Sequence, residues 1–312
     1  RRHTRYPLVT GVQTCALPIS FDLVDATMDF SRYRVILVAN EKEIPSETAE
    51  KLRAYLAAGG KLVLCSDSIL KPGTCEPWFE FGAEFGETSP SNPDYVRMKE
   101  SFAGNFKTPF LMQLPSRRMK VTTALSLAEI YDSYFNRTAR HFCSHQHTPN
   151  KPEASGYDAA AISGNILYFA HPVFTLYRST GAVMHKQLFA HALSAFLGDQ
   201  AQVVTGNLPS TGRVTLMRQE NERRTICHVL YAPTILRGGE LPLENEQRNL
   251  STTEIIEDLI PLHDVALTVK VSEPVRKVTL QPENREIPFD YADGKVSFTI
   301  PEFTCHTMAV LE

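Results

Sequence analysis

Residues 29–67, DFSRYRVILVANEKEIPSETAEKLRAYLAAGGKLVLCSD, predict a strand, a helix and a second strand. Residues 33–38 (YRVILV) are an apolar, β-branched run with the length of a strand that is buried on both faces. Residues 61–65 (KLVLC) have the same character. Two parallel strands need a crossover of this kind, and it is nearly always right-handed. The stretch therefore predicts one unit of an open α/β sheet.

The helix between these strands is predicted from its start, its apolar stripe and its end. Ser46 is a good N-cap, and Glu47 in the first turn faces the positive end of the helix dipole. Four apolar residues recur at helical spacing on one face: Ala49, Leu52, Tyr55 and Leu56. Gly59 and Gly60 can adopt the left-handed conformation that ends a helix. The pattern predicts one amphipathic helix that stops at the glycine pair.

Further along the chain, the pattern of apolar residues changes from one that predicts both helices and strands to one that predicts strands alone. Residues 157–162 and 165–170 resemble a hairpin, and residues 181–197 predict a long amphipathic helix that Gly198 ends. From about Gly212 onward, short alternating runs are separated by turn signals such as Asp293-Gly294, with no helix between them. The predicted order is an α/β domain followed by an all-β antiparallel sandwich.

Three segments of the opening stretch carry a resemblance to a known family. Asp29-Phe-Ser-Arg-Tyr33, Ser46 with Leu52 and Tyr55, and residues 58–63 (AGGKLV) resemble the trimerisation domain of bacterial β-galactosidases. The resemblance implies a flavodoxin- or amidotransferase-like open sheet domain without amidotransferase activity. It also implies that the domain follows a catalytic (β/α)8 barrel, precedes a small β-sandwich, and forms a homo-oligomer, with a trimer as the expected state.

The predicted domain boundaries follow from this order. We assign residues 21–205 to the amidotransferase-like trimerisation domain and residues 206–312 to the β-sandwich. Residues 1–20 (RRHTRYPLVTGVQTCALPIS) look like an extraneous leader, since residues 9–20 resemble a translated sequencing adapter, and we expect them to be poorly ordered. A (β/α)8 barrel takes about 250 residues, so 312 residues cannot hold one beside two other domains.

Catalytic residues are not evident in this sequence. Cys65 ends a strand, as an amidotransferase nucleophile would, but its context, LCSD, lacks the glycines that a strained elbow needs, so a buried structural cysteine is favoured. Glycosidases need two facing carboxylates. Six acids were weighed for that role: Asp22, Asp25, Asp29, Glu254, Glu257 and Asp258. They precede a strand or lie on a connector, and no pair among them merits a catalytic assignment.

The most unusual stretch is residues 140–149, RHFCSHQHTP. If it is extended, His141, Cys143, His145 and His147 point to one face. These are zinc-type ligands, but structural zinc sites usually draw them from two separated pairs, so no metal site is assigned. A polar lip over a sugar site, formed by His141, His145 and His147, is the functional hypothesis, because binding residues concentrate on loops. Ordinary polar surface is the alternative.

Composition restricts the partners and the compartment. The net charge is −3, so the sequence does not predict nucleic-acid binding, and no apolar run reaches the roughly 20 residues of a membrane helix. Setting aside Cys15, five widely spaced cysteines remain, an odd count that favours reduced thiols and a cytoplasmic protein. No cofactor is predicted. The expected partners are further copies of the chain and a carbohydrate substrate bound through the missing barrel.

The sequence therefore favours a non-catalytic part of a β-galactosidase-like glycoside hydrolase, which serves oligomerisation and lines or supports the active site. Two alternatives stay open. One is a small amidotransferase- or peptidase-like enzyme, which would depend on Cys65. The other is a stand-alone carbohydrate-binding or structural module, which would bind sugar through the sandwich.

Overall fold

The computed structural model describes residues 22–39, 42–104, 106–237 and 253–312. The predicted leader, residues 1–20, lies outside these ranges. The chain divides into two compact units, one from Val24 to Asp199 and one from Gln200 to Glu312. Each unit has its own hydrophobic core. The architecture is an open mixed sheet followed by a pair of antiparallel sheets.

The first unit contains a seven-stranded sheet with the strand order β1-β2-β9-β8-β7-β4-β5, and a separate antiparallel pair, β3-β6. Its strands are β1 (Val35–Leu37), β2 (Lys61–Cys65), β3 (Ala83–Thr88), β4 (Asp94–Met98), β5 (Phe110–Met112), β6 (Arg117–Val121), β7 (Leu125–Asp132), β8 (Asp158–Ser163) and β9 (Ile166–Phe169). Its α-helices are α1 (Ser46–Ala57), α2 (Val173–Thr180) and α3 (Val183–Leu197). No described helix is long and apolar enough to cross a membrane.

The predicted strand–helix–strand unit is confirmed, with two corrections. Strands β1 and β2 are parallel, and β2 is parallel to β9, while the remaining pairs of the sheet are antiparallel. Strand β1 was expected to be buried on both faces, but it is the edge strand, so Leu37 is largely exposed. Pro45, not Ser46, holds the N-cap position, and Ser46 is the first helical residue. The fixed φ of proline suits the start of a helix equally well.

The long helix predicted over residues 181–197 is confirmed as α3, which begins at Val183 and ends at Leu197, before Gly198. A further helix, α2, precedes it, and Gly181, at φ +63°, ends α2. The hairpin of β8 and β9 is confirmed, with Gly164 at φ +51° in its turn. Residues 83–88, which include Phe85, form strand β3. Pairing with β6 decides that conformation.

The described part of the second unit contains two larger antiparallel sheets, with the orders β10-β15-β19-β18 and β11-β12-β20-β16-β17, and a separate two-stranded pair, β13-β14. Its strands are β10 (Val203–Thr205), β11 (Arg213–Gln219), β12 (Arg224–Tyr231), β13 (Ile235–Arg237), β14 (Thr253–Ile255), β15 (Leu262–Lys270), β16 (Val278–Gln281), β17 (Arg285–Glu286), β18 (Phe289–Ala292), β19 (Lys295–Phe303) and β20 (Cys305–Leu311). Inward-facing residues of both sheets share one apolar core, as in a β-sandwich.

Turn chemistry explains how these strands are joined. Asp293 and Gly294, at φ +51° and +72°, make the two-residue connection between β18 and β19. Both positions of a type I′ turn need positive φ, which is why the Asp-Gly pair was a reliable hairpin signal. Strands β13 and β14 lie on either side of residues 238–252, which are outside the described part of the chain.

Candidate functional site

The stretch singled out in the sequence belongs to a closed surface loop between β7 and β8. A bridge between Ser133 and Asn150 joins the two ends of this loop, and Tyr134 N donates to the carbonyl oxygen of Pro149 at 3.0 Å. Deeper in the unit, the Tyr95 hydroxyl donates to the carbonyl oxygen of Thr148 at 2.6 Å. A compact loop whose ends are close together is frequently functional. We refer to residues 133–150 as the histidine loop.

The three predicted lip residues all lie in the histidine loop, but they are not on a strand. Residues 141–147 form successive bends, so the alternation that would put their side chains on one face does not apply. The ring of His141 stacks on Phe135, with centroids 3.7 Å apart. Arg137 Nη1 donates to the carbonyl oxygen of His145 at 2.9 Å. His141 and His145 are exposed, whereas His147 is half-buried.

Cys143 does not join the histidines in a ligand cluster. Its Sγ is directed at the carbonyl oxygens of His145 and His147, at 3.5 Å and 3.6 Å, rather than at their rings. Within the described residues, no three His, Cys, Asp or Glu side chains gather in a way that could hold a metal ion. Each imidazole of the loop could therefore contact a ligand singly, but the described histidines do not form a shared metal site.

Aromatic rings and cations complete the chemistry of the histidine loop. Tyr134 and Phe142 are 57% and 62% exposed, whereas large aromatic side chains are usually mostly buried. Arg137 and Arg140 are exposed as well, and residues 133–150 contain no Asp or Glu. Rings can pack on the apolar face of a ligand, while imidazoles and guanidinium groups donate hydrogen bonds to its oxygens. This surface suits a ligand rich in hydroxyl or carboxylate oxygens.

The carboxyl end of β2 has an unusual backbone, one residue beyond Cys65. Cys65 itself is buried, whereas Ser66 has φ +48°, a left-handed conformation that is uncommon for a residue other than glycine. The hydroxyl of Tyr168 donates to the carbonyl oxygen of Ser66 at 2.8 Å. Next to it, the guanidinium of Arg117 binds Asp67 Oδ1 through Nε at 2.7 Å and Nη2 at 2.6 Å. Sequence reasoning missed this turn because it required flanking glycines.

A buried carboxylate and a buried imidazole lie behind this edge of the sheet. Asp94 accepts hydrogen bonds from the Ser89 hydroxyl at 2.9 Å, from Ser116 N at 2.8 Å and from the Ser116 hydroxyl at 2.5 Å. His171 Nε2 lies 3.4 Å from Asp94 Oδ2, close enough for electrostatic attraction but without the alignment of a hydrogen bond. Neither residue was predicted, because their polar side chains give no periodic signal.

Burial and contacts shift the pKa values of this pair. Burial raises the cost of charging Asp94, but contacts with His171 and Ser116 outweigh it, so the pKa of Asp94 is lowered. Burial also lowers the pKa of His171, and the attraction of Asp94 offsets this only in part. The favoured state is an ionised Asp94 beside a neutral His171. Both side chains are inaccessible to solvent, so the pair has a structural rather than a substrate-binding geometry.

Three of the six candidate acids have local structural roles. Asp25 accepts hydrogen bonds from the hydroxyl and the N–H of Thr27, and these lower its pKa. Asp29 accepts the N–H and the hydroxyl of Ser31 in the same way, with the same effect on its pKa. In the second unit, Glu257 is engaged by Arg237, whose Nε lies 3.0 Å from Oε2.

Comparison with solved structures finds glycoside hydrolases. The chain is similar to α-L-fucosidase isoenzyme 2 from Paenibacillus thiaminolyticus, with 34% identity and a TM-score of 0.84 over 94% of this chain and 42% of that one. It is also similar in fold to the β-galactosidase from Bacillus circulans sp. alkalophilus, with 13% identity and a TM-score of 0.50 over 93% of this chain and 35% of that one. No protein-family profile and no curated protein matches. The chain spans less than half the length of both enzymes.

Proposed function

We propose that this chain is a non-catalytic part of a carbohydrate-active glycoside hydrolase, made of an amidotransferase-like domain and a β-sandwich, which correspond to the two compact units Val24–Asp199 and Gln200–Glu312. The observation that carries the proposal is the 34% identity with an α-L-fucosidase over 94% of the chain. The β-galactosidase shares a similar fold at only 13% identity. An α-L-fucoside is therefore the favoured substrate of the whole enzyme, and a β-galactoside is the second choice.

The absence of a catalytic role for this chain is argued from its acids. Hydrolysis of a glycosidic bond needs two carboxylates that flank an open substrate site, about 5–9.5 Å apart. The interior acids of the first unit are already held by neighbours: Asp67 by Arg117, Asp94 by Ser116 and Asp132 by Arg118. These three carboxylates therefore already have structural partners within the first unit. We therefore assign both catalytic carboxylates to residues that lie outside this chain.

The histidine loop is the part of the chain that we assign to the substrate. Its exposed imidazoles, its cations and its two exposed rings match the oxygens and the apolar face of a sugar. The stacking of His141 on Phe135 and the hydrogen bonds from Arg137 to the carbonyl oxygens preorganise the loop. In this proposal the loop forms a lip over the active site of the barrel, within one enzyme or across a subunit interface.

The experiment compares this chain with the longer gene product that contains it. The chain alone should not hydrolyse p-nitrophenyl α-L-fucoside or β-galactoside, and the longer enzyme should hydrolyse one of them. In the longer enzyme, His145→Ala should lower kcat/KM by about 5- to 150-fold, equivalent to about 1–3 kcal/mol of transition-state binding. Ser144→Ala, at an exposed position in the same loop, is the matched control. The proposal would be overturned if the chain alone hydrolysed one of these substrates and if mutation of one of its own acids abolished that activity.

A second candidate function has one specific observation in its favour. The outer face of the β10-β15-β19-β18 sheet holds a groove of about 420 Å³, lined in part by Thr268, Asp290 and Ser297. Short polar side chains of this kind could hydrogen-bond a sugar, as in a stand-alone carbohydrate-binding module. Glycan affinity of this chain that Asp290→Ala abolishes would favour this alternative. The small-enzyme alternative is weaker, because Cys65 is buried.

Oligomerisation and location complete the proposal. We propose a homo-oligomer, with a trimer as the expected state, that binds neither nucleic acid nor membranes and needs no cofactor in this chain. We also propose a cytoplasmic location. Cys75, Cys143, Cys227 and Cys305 are free thiols, which is typical of proteins in a reducing compartment.

A further inference from the structure

A two-stranded ribbon in the second unit is exposed on both faces. Its strands, β13 and β14, pair antiparallel, with Ile235 opposite Ile255 and Leu236 opposite Glu254. They form a sheet of their own that gains no further strand from the described chain. An isolated pair of strands is marginally stable in water at best. The ribbon therefore needs a covering surface.

The ribbon and the residues that follow it concentrate exposed aliphatic side chains. Six of them are exposed: Ile235, Leu236, Ile255, Ile256, Leu259 and Ile260. Leu236 is 63% exposed and Ile256 is 52% exposed. Single exposed apolar residues are normal on a soluble protein, but a cluster marks a surface that binds another molecule. We name these residues, together with β13 and β14, the ribbon surface.

The charges of the ribbon surface restrict what can cover it. Glu254, Glu257 and Asp258 are exposed acids, and Arg237 forms an ion pair with Glu257. The surface therefore has an apolar centre and an excess of negative charge. Association requires complementary potentials, so the covering surface should combine apolar residues with cations and contain few carboxylates.

The helices of the first unit have this complementary chemistry. Residues 171–198 contain no Asp or Glu. Arg178 lies in the last turn of α2, and Lys186 lies near the start of α3. Tyr177 and Val183 are apolar and exposed, Val183 by 55%. We name α2 and α3 the helical surface.

We propose that the ribbon surface of one copy of this chain docks on the helical surface of a second copy. The two patches differ, so the contact is heterologous, and such contacts form closed rings when their rotation closes. Burial of the aliphatic side chains supplies the attraction, and the acids opposite Arg178 and Lys186 supply the orientation. The inference deepens the oligomeric part of the proposed function and rests on it.

Charge reversal tests this pairing in the whole chain. A ribbon variant carries Glu254→Lys and Asp258→Lys, and a helix variant carries Arg178→Glu and Lys186→Glu. Analytical ultracentrifugation over a concentration series should show self-association about 10- to 100-fold weaker in each variant. The chain that combines all four changes should regain the association, because opposite charges face each other again. Glu222→Lys with Glu283→Lys, which reverses two exposed acids elsewhere in the second unit, should leave it unchanged.

Three outcomes would contradict the inference in different ways. An oligomer that neither variant weakens would overturn this interface and leave the proposed oligomer standing. Weakening in both variants without recovery in the combined chain would overturn the pairing of the two surfaces. A monomer at every concentration would overturn both the interface and the oligomer. Circular dichroism and thermal unfolding of each variant confirm that these exposed substitutions leave the fold intact.

Discussion

The two units bury different chemistry. The interior of the first unit holds charged and titratable side chains, among them Asp94, Arg117, Arg118, His171 and His185. In the described part of the second unit, the buried polar side chains are those of Thr279 and Thr307. One core depends on specific polar partners, whereas the other depends mainly on apolar burial.

This difference has a structural reason. Several buried polar residues of the first unit lie in loops or at a strand end, among them Ser89, Asp94, Ser116 and His171. Their polar groups need partners in the interior, and Asp94 supplies one by accepting both the N–H and the hydroxyl of Ser116. In the second unit, alternating strands direct polar side chains outward. A polar core fixes one arrangement but fails when a single partner is lost.

The largest expected effect comes from removing the carboxylate at the centre of the first core. Asp94→Ala leaves Ser89 and Ser116 without their buried acceptor, and we expect it to cost about 1–3 kcal/mol of the free energy of unfolding for each donor left unpaired. Denaturant unfolding should show the loss in the transition of the first unit. Asp94→Asn, which keeps the shape and one acceptor oxygen, should cost less. An equal cost for both variants would show that packing, not charge, matters at this position.

The corresponding test of the second core uses an apolar residue. Leu280 is buried within the sandwich, and Leu280→Ala should cost about 2–5 kcal/mol through lost burial and the cavity left behind. Leu280→Met conserves the volume and should cost less than about 1.5 kcal/mol. Thermal unfolding at several pH values measures both variants. A strong pH dependence of the Leu280→Ala cost would contradict a core held by apolar burial.

A close backbone approach in the first unit gives a smaller expected effect. A Cβ atom on Gly60 would overlap Cζ of Tyr55, far closer than two non-bonded carbon atoms can approach. Gly60→Ala should therefore cost about 1–3 kcal/mol of stability through overpacking. In a Tyr55→Leu background the same change should cost less, because the ring is gone. Equal costs in both backgrounds, measured by urea unfolding, would assign the role of Gly60 to something other than this contact.

The smallest expected effect is the pH dependence of His171. Its pKa is lower in the folded protein than the unfolded value of about 6.5, so the unfolded chain binds more protons as the pH falls below 6.5. The free energy of unfolding therefore decreases as the pH falls from 6.5 to the pKa of His171 in the folded protein. The total loss is about 1.4 kcal/mol for each pH unit between the unfolded and the folded pKa. Asp94, whose pKa is also lowered, extends the loss below about pH 4.

The measurement is the stability of the first unit between pH 7.5 and pH 5. His171→Gln should flatten the curve in this range, because glutamine has no proton to gain. His228→Gln in the second unit should change its curve less, because His228 is only half-buried, although burial and His306 lower its pKa in the same direction. If stability depended on pH in the same way in His171→Gln and in the unmodified chain, His171 would not be the source of the pH dependence.

Most of the helices and strands could be predicted from the sequence. For the candidate site, the sequence predicted which segment carries it but not the conformation of that segment. Strand β2 was predicted with the bounds that the structure has, and the hairpin of β8 and β9 was predicted to within a residue or so. The three histidines were identified by composition, but the extended conformation considered for them does not occur. Loop conformation depends on contacts such as Arg137 with the carbonyl oxygen of His145, which no periodicity reports.

The sequence by itself determined the elements whose signal is local. Apolar runs, the stripe of α1 and the Asp293-Gly294 turn each act through neighbouring residues, so a short window of sequence is sufficient. The tertiary structure alone decided the edge position of β1, the φ of Ser66 and the pairing of Asp94 with Ser116 and His171. Those features depend on contacts between residues that are far apart in the chain. Such contacts stabilise the protein only after the sheet has formed and brought the residues together.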